Sequence, residues 1–254
     1  GLSATTSFTL SVSAAPPPGQ TTQFNNGSFE TGDFSGWVVQ DVGSPVYGVA
    51  VRETGEYVGV LRVQPTDGQF AAVHGFGGHT AGAIRIGQDI FISASAPYLR
   101  FDYRARWDMR NLGLTQPRIF SVAVAPAGGG DVLERIVILT AEPETNNPDT
   151  GWLLGTADLR AYAGTTVRVS FDTTINESRY AGSGSFQLDN IVFVNEQPPN
   201  SPPTVVLQLP NDGTILSTEL NDVVVRADAQ DSDGTVARVN FYEGSVLIGS
   251  DTTR

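Results

Sequence analysis

Short runs of alternating apolar and polar residues extend along most of the 254-residue chain, separated by glycine, proline, asparagine and aspartate. Alternation with a period of two is typical of strands that bury one face. The period of 3.6 that marks amphipathic helices is almost absent. The pattern therefore predicts an all-β chain, with helix confined to a turn near residues 157–162.

The predicted strands fall into three groups. The first is a single strand within residues 4–13, where Phe8, Leu10 and Val12 alternate with polar residues. In the long middle group we predict strands at residues 46–51, 69–73, 83–90, 98–107, 119–125, 132–139, 166–172 and 185–194. In the last group we predict strands at residues 204–209, 222–229, 236–242 and 246–249.

Two proline-rich runs separate these groups, PPP at residues 16–18 and PPNSPP at residues 198–203. Consecutive prolines favour extended backbone and do not pair inside a sheet, so both runs are predicted linkers. The predicted units are residues 1–14, a linker at 15–23, residues 24–195, a linker at 196–203, and residues 204–254. Only the middle unit has enough strands for a sandwich. We therefore expect the chain to be a stretch of a larger protein.

Five motifs in the middle unit resemble the galactose-binding-like, jelly-roll carbohydrate-binding modules of large exported bacterial proteins. They are NNGSFE at residues 25–30, TGDFSGW at 31–37, LRFDYR at 99–104, GTADL at 155–159 and GSFQLDNI at 184–191. Because the motifs bracket nearly the whole unit, the resemblance implies a jelly-roll β-sandwich over residues 24–195. It implies much less about the ligand.

The outer units resemble bacterial immunoglobulin-like repeats. The motifs are PTVVL at residues 203–207, AQDSDG at 229–234, VNFYEG at 239–244 and, in the first unit, SFTLSV at 7–12. Residues 1–14 are then the closing strand of an upstream module, and residues 204–254 are the N-terminal part of another. Such repeats imply a spacer or stalk. An unpaired strand such as residues 4–13 could also add to a neighbour's open sheet, which would be self-association.

The jelly-roll resemblance implies a structural calcium ion where the first and last strands of the module meet. The implied ligands are the side chains of Glu30 and Asp189 and the carbonyl of Ser28, with Asp67 as a fourth candidate. Calcium takes six to eight oxygen ligands, which carboxylates, carbonyls and water supply. A β-bulge at residues 189–190 would keep the apolar residues on both sides of it facing one way. The alternative is that Glu30 is a surface strand end and Asp189 a local hydrogen-bonding residue.

The predicted strand at residues 98–107 offers a candidate ligand surface. One face has the side chains of Phe101, Tyr103, Ala105 and Trp107, which predict a core face. The opposite face has Asp102, Arg104 and Arg106, which could bind the hydroxyls or carboxylates of a glycan, since a guanidinium can hold a carboxylate bidentately. Tyr57, Tyr180 and Trp107 are candidates for an aromatic platform, whereas Trp37 is predicted to be core. The alternative is a solvated face with no ligand.

Composition excludes several functions. The chain has no cysteine and no lysine, which removes thiol chemistry, disulfides and Schiff-base chemistry. A formal net charge of −12 argues against nucleic acid, because a binder needs a cationic face to displace counterions. No run of eighteen apolar residues is present, so we expect no membrane insertion in this segment.

The sequence motifs that could indicate catalysis are incomplete. His74 and His79 flank a glycine-rich run, with no third histidine to complete a metal site. One DTG triplet at residues 149–151 matches half of the paired aspartates of an aspartic protease. We expect no enzyme activity.

The sequence thus predicts a non-catalytic carbohydrate-binding or adhesion module of a large, multi-module bacterial protein, secreted or displayed on the cell surface. Its partner would be a glycan or cell-surface polysaccharide. The alternative function is a purely structural spacer or a subunit of a stalk, sheath or filament, without a soluble ligand.

Overall fold

The computed structural model describes residues 21–58, 61–75, 80–178, 183–196, 203–210, 223–231, 236 and 238–252. Within these residues, thirteen strands precede residue 195. They are β1 (Val38–Gln40), β2 (Ala50–Glu53), β3 (Tyr57–Val58), β4 (Leu61–Arg62), β5 (Phe70–Gly75), β6 (Gly82–Phe91), β7 (Tyr98–Asp108), β8 (Arg118–Pro126), β9 (Glu134–Ala141), β10 (Asn146–Asn147), β11 (Leu153–Asp158), β12 (Thr166–Ile175) and β13 (Ser183–Val194). One 3₁₀ turn, Arg160–Tyr162, follows β11.

Two antiparallel sheets build a sandwich. The five-stranded sheet has the order β1-β6-β12-β8-β9, and the six-stranded sheet has the order β10-β7-β13-β5-β2, with β11 also paired to β7. All of these pairings are antiparallel, and neighbouring strands are often far apart in sequence, as in a jelly roll. The predicted all-β sandwich is confirmed.

Alternation places the core between the sheets. In β7 the side chains of Phe101, Tyr103 and Trp107 are at most 2% exposed, as the pattern predicted. They meet aromatic side chains of the opposite sheet, such as Phe171 with a ring-centroid distance of 4.9 Å from Phe101. Trp37 is also buried and stacks on Phe24. Packed rings of this kind contribute beyond the apolar area they bury.

The last unit contains two hairpins. β14 (Thr204–Leu209) pairs with β15 (Arg226–Gln230), and β16 (Val239–Glu243) pairs with β17 (Val246–Asp251). The four strands predicted there are present, with ends shifted by a few residues. Residues 4–13, most of both linkers, His79 and Tyr180 lie outside the described residues, and the predicted domain boundaries stay predictions.

Some elements differ from the prediction. The strand predicted at residues 46–51 begins only at Ala50, because Asp41 holds the backbone of Val49 through a 2.8 Å hydrogen bond in a loop. The short strands β1, β3, β4, β10 and the strand β11 were missed. The predicted helical turn is the 3₁₀ turn at Arg160–Tyr162. Within the described ranges, no helix has the length and apolarity needed to cross a bilayer.

Candidate ligand and metal sites

The first motif of the module organises a loop. The side chain of Asn26 accepts a hydrogen bond from the Thr31 backbone and donates to Thr31 Oγ1 and to the Asp33 carbonyl. The indole of Trp37 donates to the Asn26 carbonyl at 2.9 Å. Phe29 is fully buried with a φ of 59°. These motif residues therefore serve the fold, which is why they identify the type of module better than its ligand.

A segment of the chain covers the outer face of the six-stranded sheet. This covering segment, residues 61–70, places Val63 on Ala71 and Val73 in a small apolar cluster. The buried Gln187 of β13 donates to the Arg62 carbonyl and accepts from the Gln64 backbone. The sheet face that was predicted to bind a ligand is thus partly covered by residues of the chain itself.

Arg104 is the central polar side chain of this face. It is 8% exposed and binds Asp149 bidentately, with Nε–Oδ1 at 2.8 Å and Nη2–Oδ2 at 2.5 Å. Its Nη1 donates to Gln64 Oε1 at 2.6 Å. The hydrogen bonds from Arg104 hold the pKa of the Asp149 carboxyl below its usual range. The guanidinium is therefore used within the protein, and Asp149 and Gln64 are the groups it orients.

An aromatic surface lies beside this ion pair. The indole Nε1 of Trp152 donates to the Gln64 carbonyl at 2.8 Å, and its ring is half-buried. Across the β3–β4 hairpin, the guanidinium of Arg62 stacks over the ring of Tyr57, 5.1 Å from its centroid. Tyr57 is 64% exposed. We call Tyr57, Arg62, Gln64, Asp149 and Trp152 the Trp152 surface.

The other predicted ligand residues are dispersed. Asp102 is half-buried, and its Oδ2 accepts from Thr66 Oγ1 and Asn190 Nδ2. Arg106 is half-buried and its charge helps to lower the pKa of Asp149. Trp107 is buried in the core, where its indole donates to Thr145, so it offers no platform.

The two carboxylates predicted to bind calcium hold one loop. Both oxygens of Glu30 accept backbone N–H bonds from Gln69, and Oε1 also accepts from Phe70. Asp189 Oδ2 accepts from the backbones of Thr66 and Asp67. The left-handed Gly68, with a φ of 61°, lies between these contacts, and a Cβ there would collide with the Glu30 carboxyl.

Asp189 sits at the predicted bulge. The β7–β13 register shifts between Asp189 and Val192, and Asn190 has a φ of 51°. As predicted, the bulge keeps Leu188 and Ile191 both in the core. Asp189 is itself fully buried, and this burial raises the pKa of its carboxyl to about 6.

Four acidic side chains contact this loop or belong to it. Glu30, Asp67, Asp102 and Asp189 supply carboxylate oxygens, the ligand type that calcium prefers. None of the four forms an ion pair with a described residue. Within the described residues no three acidic or histidine side chains are grouped closely enough to hold a metal by themselves. A cation here would need backbone carbonyls and water as further ligands.

The catalytic candidates have structural roles. His74 is buried, stacks on Phe186, and its ring nitrogens contact the Gly75 carbonyl and Thr173 Oγ1. Burial lowers the pKa of His74 to about 4. The DTG triplet supplies Asp149 to Arg104, and Thr150 pairs with the backbone of Ala105 in β7.

Sequence reasoning missed Asp149, Gln64 and Trp152 as candidate ligand residues. Asp149 and Trp152 lie in the loop between β10 and β11. The sequence pattern of this loop indicated only the DTG triplet that is typical of aspartic proteases. The available signal was a tryptophan three residues after an aspartate in a loop rich in Gly, Pro and Asn, since binding residues are disproportionately found on loops.

Solved structures similar to this chain include a carbohydrate-binding module and an adhesin domain. The module TmCBM61, in complex with β-1,4-galactotriose, is 15% identical, with 67% of this chain and 96% of that chain covered and a TM-score of 0.40. The K3 adhesin domain of Lys-gingipain from Porphyromonas gingivalis W83 is 14% identical, with coverages of 68% and 98% and a TM-score of 0.42.

An enzymatically active domain is also similar, that of tailspike protein 4 from bacteriophage CBA120. The identity is 16%, the alignment covers 67% of this chain, and the TM-score is 0.40. The aligned part spans 21% of the tailspike domain, so the tailspike's activity is not carried over to this chain.

No curated protein matches the chain in sequence. A family model described as a bacterial Ig domain matches residues 203–254, which confirms the immunoglobulin-like resemblance of the last unit.

Proposed function

We propose that residues 24–195 form a non-catalytic carbohydrate-binding or adhesion module, and that the Trp152 surface is where it binds a glycan. The observation that carries this proposal is the position of Trp152, a half-buried ring fixed beside Asp149 and Gln64. The immunoglobulin-like unit after it would present the module on a secreted or surface-displayed bacterial protein.

The chemistry of sugars suits this surface. A pyranose ring has apolar C–H faces that pack on aromatic rings, and hydroxyls at its edge that need hydrogen-bond partners. Trp152 and Tyr57 would supply the rings. The Asp149 carboxylate would accept from hydroxyls, and because Arg104 already fixes it, little conformational entropy is lost on binding.

Binding to a panel of neutral and acidic polysaccharides by affinity electrophoresis and calorimetry tests the site. Trp152→Ala is expected to weaken glycan binding at least about tenfold, since one stacked ring contributes on the order of a kcal/mol or more. Tyr57→Ala is expected to weaken it less, because its ring is more exposed.

Tyr98→Ala is the matched control, because Tyr98 also has an arginine, Arg160, stacked over its ring at 5.4 Å. This variant should bind like the parent protein. Equal losses for Trp152→Ala and Tyr98→Ala would contradict the site. If no glycan binds the parent protein, the alternative of a structural spacer takes its place.

We also propose that a structural calcium ion binds at Glu30 and Asp189, with the Ser28 carbonyl and Asp67 as further candidate ligands. Glu30 and Asp189 both hold the loop at residues 66–70, and neither forms an ion pair with a described residue. Calcium would link their carboxylates and stabilise the module, with no part in chemistry.

Thermal unfolding with calcium and with a chelator tests this proposal. The chelator is expected to lower the melting temperature by several degrees, and Glu30→Ala should remove that sensitivity. Glu144→Ala is the control, because Glu144 also accepts a backbone N–H bond, from Asn111, at another position. A melting temperature that the chelator leaves unchanged would contradict the calcium site.

A further inference from the structure

The outer face of the five-stranded sheet carries three arginines over a floor of small residues. Arg85 projects from β6, Arg168 from β12 and Arg135 from β9, and we call these three side chains the arginine face. Beneath them lie the buried side chains or backbone of Gly87, Ser121, Ala123, Ala125 and Ser170. Small residues let the arginine stems lie flat on the sheet, with their charged ends at the surface.

The surroundings of Gly87 show how closely an arginine stem approaches the backbone of the sheet. A Cβ added at Gly87 would lie 2.9 Å from the Cβ of Ser170 and 3.2 Å from the Cδ of Arg168. Real Cβ atoms essentially never show a contact as short as the first, and the second is also tight. The glycine therefore makes room for the arginine side chain on this face.

A fully buried aspartate anchors two of the arginines. Asp172 Oδ2 accepts from Arg85 Nε at 3.0 Å and from Arg135 Nη2 at 3.4 Å, while its Oδ1 accepts from Ser170 Oγ at 2.7 Å. Arg135 Nη1 also donates to Ser121 Oγ at 2.7 Å. One buried carboxylate thus fixes two guanidinium groups that are each about a third or more exposed, at 40% for Arg85 and 32% for Arg135.

The arginine face has hydrogen-bonding capacity left. Within the described part of the chain, Arg85 bonds only to Asp172 and only through Nε, which leaves both of its Nη groups without a described partner. Arg168 is paired with Asp89 through two hydrogen bonds. Three guanidinium groups against two carboxylates leave one net positive charge, on a chain whose formal charge is −12.

We propose that the arginine face is a second binding site, which takes the carboxylate or sulfate groups of an acidic polysaccharide. Arg85 is held by the buried carboxylate through Nε, which leaves both of its Nη groups oriented to donate to a carboxylate or a sulfate. This site lies on the opposite face of the sandwich from the Trp152 surface. It binds the anionic groups of a polysaccharide through other residues, so it goes beyond the proposed function and does not depend on it.

An acidic polysaccharide fits better than a nucleic acid. The excess of one positive charge, within a strongly acidic protein, is too small to displace the counterions of a polyphosphate. Single carboxylates or sulfates spaced along a sugar chain need only one or two guanidinium groups each.

Calorimetry with the whole chain tests the proposal, using polygalacturonate against its methyl ester and dextran sulfate against dextran. We expect binding to at least one charged polymer and none to its neutral counterpart, and the two pairs distinguish carboxylate from sulfate. Affinity should fall steeply as sodium chloride is raised, because exposed charges are screened.

Arg85→Gln and Arg135→Gln are each expected to weaken this binding about tenfold, the usual effect of losing a charge-assisted hydrogen bond. Arg160→Gln is the control, because Arg160 forms a similar exposed pair, with Asp158, at another position. Circular dichroism should show that all three variants remain folded, and Arg85→Gln keeps the Arg135–Asp172 contact.

Three results would overturn the proposal: no binding to either charged polymer, equal binding to charged and neutral polymers, or equal losses in Arg85→Gln and Arg160→Gln. Binding of single-stranded DNA with higher affinity than either polysaccharide would also overturn it. The salt-sensitive difference in affinity between each charged polymer and its neutral counterpart should persist in Trp152→Ala, because contacts of the sugar rings cancel in that difference, and this separates a failure of the arginine face from a failure of the Trp152 surface.

Discussion

The two outer faces of the sandwich use the same residue types in different ways. On the six-stranded sheet, Arg104 is buried and donates from all of its nitrogens, to Asp149, to Gln64 and to the Arg62 carbonyl. On the five-stranded sheet, Arg85 and Arg135 share one buried Asp172 and remain partly exposed. Residues 61–70 cover the first face, whereas the arginine side chains of the second face remain partly exposed to solvent.

The difference shows what decides whether an arginine can serve a ligand. A guanidinium whose donors are all satisfied within the protein positions other groups, as Arg104 positions Asp149. A guanidinium fixed by one edge retains donors for a partner outside the chain. The exposed fraction of an arginine side chain and the number of its unused N–H donors therefore indicate ligand binding better than the mere presence of an arginine on a sheet face.

The largest expected effect concerns His74, which links the two sheets through Thr173 of β12. Burial lowers its pKa to about 4, although Asp41 acts in the opposite direction, whereas an unfolded histidine titrates near 6.5. Below pH 6.5 the unfolded state binds a proton that the folded state does not. The free energy of unfolding should therefore fall as the pH drops from 6.5 to 4, by up to roughly 3 kcal/mol.

Urea unfolding at several pH values measures this slope, and His74→Gln should lack it. The contribution of Asp189 to the free energy of unfolding has the opposite sign. Because its pKa is raised in the folded state, that contribution grows as the pH falls from 6 towards 4. The difference between the parent protein and His74→Gln cancels that contribution. Parallel pH profiles for the two proteins would contradict the role given to His74.

Arg104→Ala is expected to lower the free energy of unfolding by about 2 kcal/mol, because it removes a buried side chain and leaves Asp149 and Gln64 without their partner. The exposed part of Asp149 regains water, which keeps the loss below that of a fully buried pair. Urea unfolding measures the loss, and Trp152 fluorescence should report a loosened covering segment. A loss no larger than that of Arg85→Gln would remove the distinction between the two faces.

Gly87→Ala tests the floor of the arginine face. The added methyl group would push against Ser170 and Arg168, so we expect a loss of about 1 kcal/mol or somewhat more. Gly164→Ala adds a methyl group where no atom lies within 4 Å, but at a φ of 81°. Thermal unfolding compares the two: Gly164→Ala is strained by its left-handed φ, whereas Gly87 has no left-handed φ, so a Gly87→Ala variant as stable as the parent protein would contradict the close approach.

The smallest effect is expected for Arg85→Gln, at most about 1 kcal/mol of stability, since a partly exposed ion pair contributes little and Arg135 still contacts Asp172. Differential scanning calorimetry measures it. A large loss would mean that Arg85 is chiefly structural, which would weaken the case for a ligand on that face.

Much of the sandwich could be predicted from the sequence. The eight strands predicted in the middle unit all exist, because a period of two directly reports which side chains face the core. The bulge at Asp189 was predictable for the same reason, since the core-facing positions change phase there. Strands of two or three residues, such as β10, leave no such period. β11 has no alternation, and it exists because it pairs with β7.

The candidate sites were less predictable. The sequence placed Asp102, Arg104 and Arg106 on one face of β7 correctly, because alternation determines the face of a strand. It could not reveal that residues 61–70 cover that face, since such coverage depends on contacts between residues 40 and more than 120 positions apart.

The sequence by itself determined the all-β class, the core face of each long strand and the immunoglobulin-like character of residues 203–254. Only the tertiary structure decided which charges are satisfied. Asp149 meets Arg104, and Asp172 meets Arg85 and Arg135, across strands or loops distant in the chain. The local pattern of a strand reports burial on its own two faces, whereas the pairing of charges depends on which segments the fold brings together.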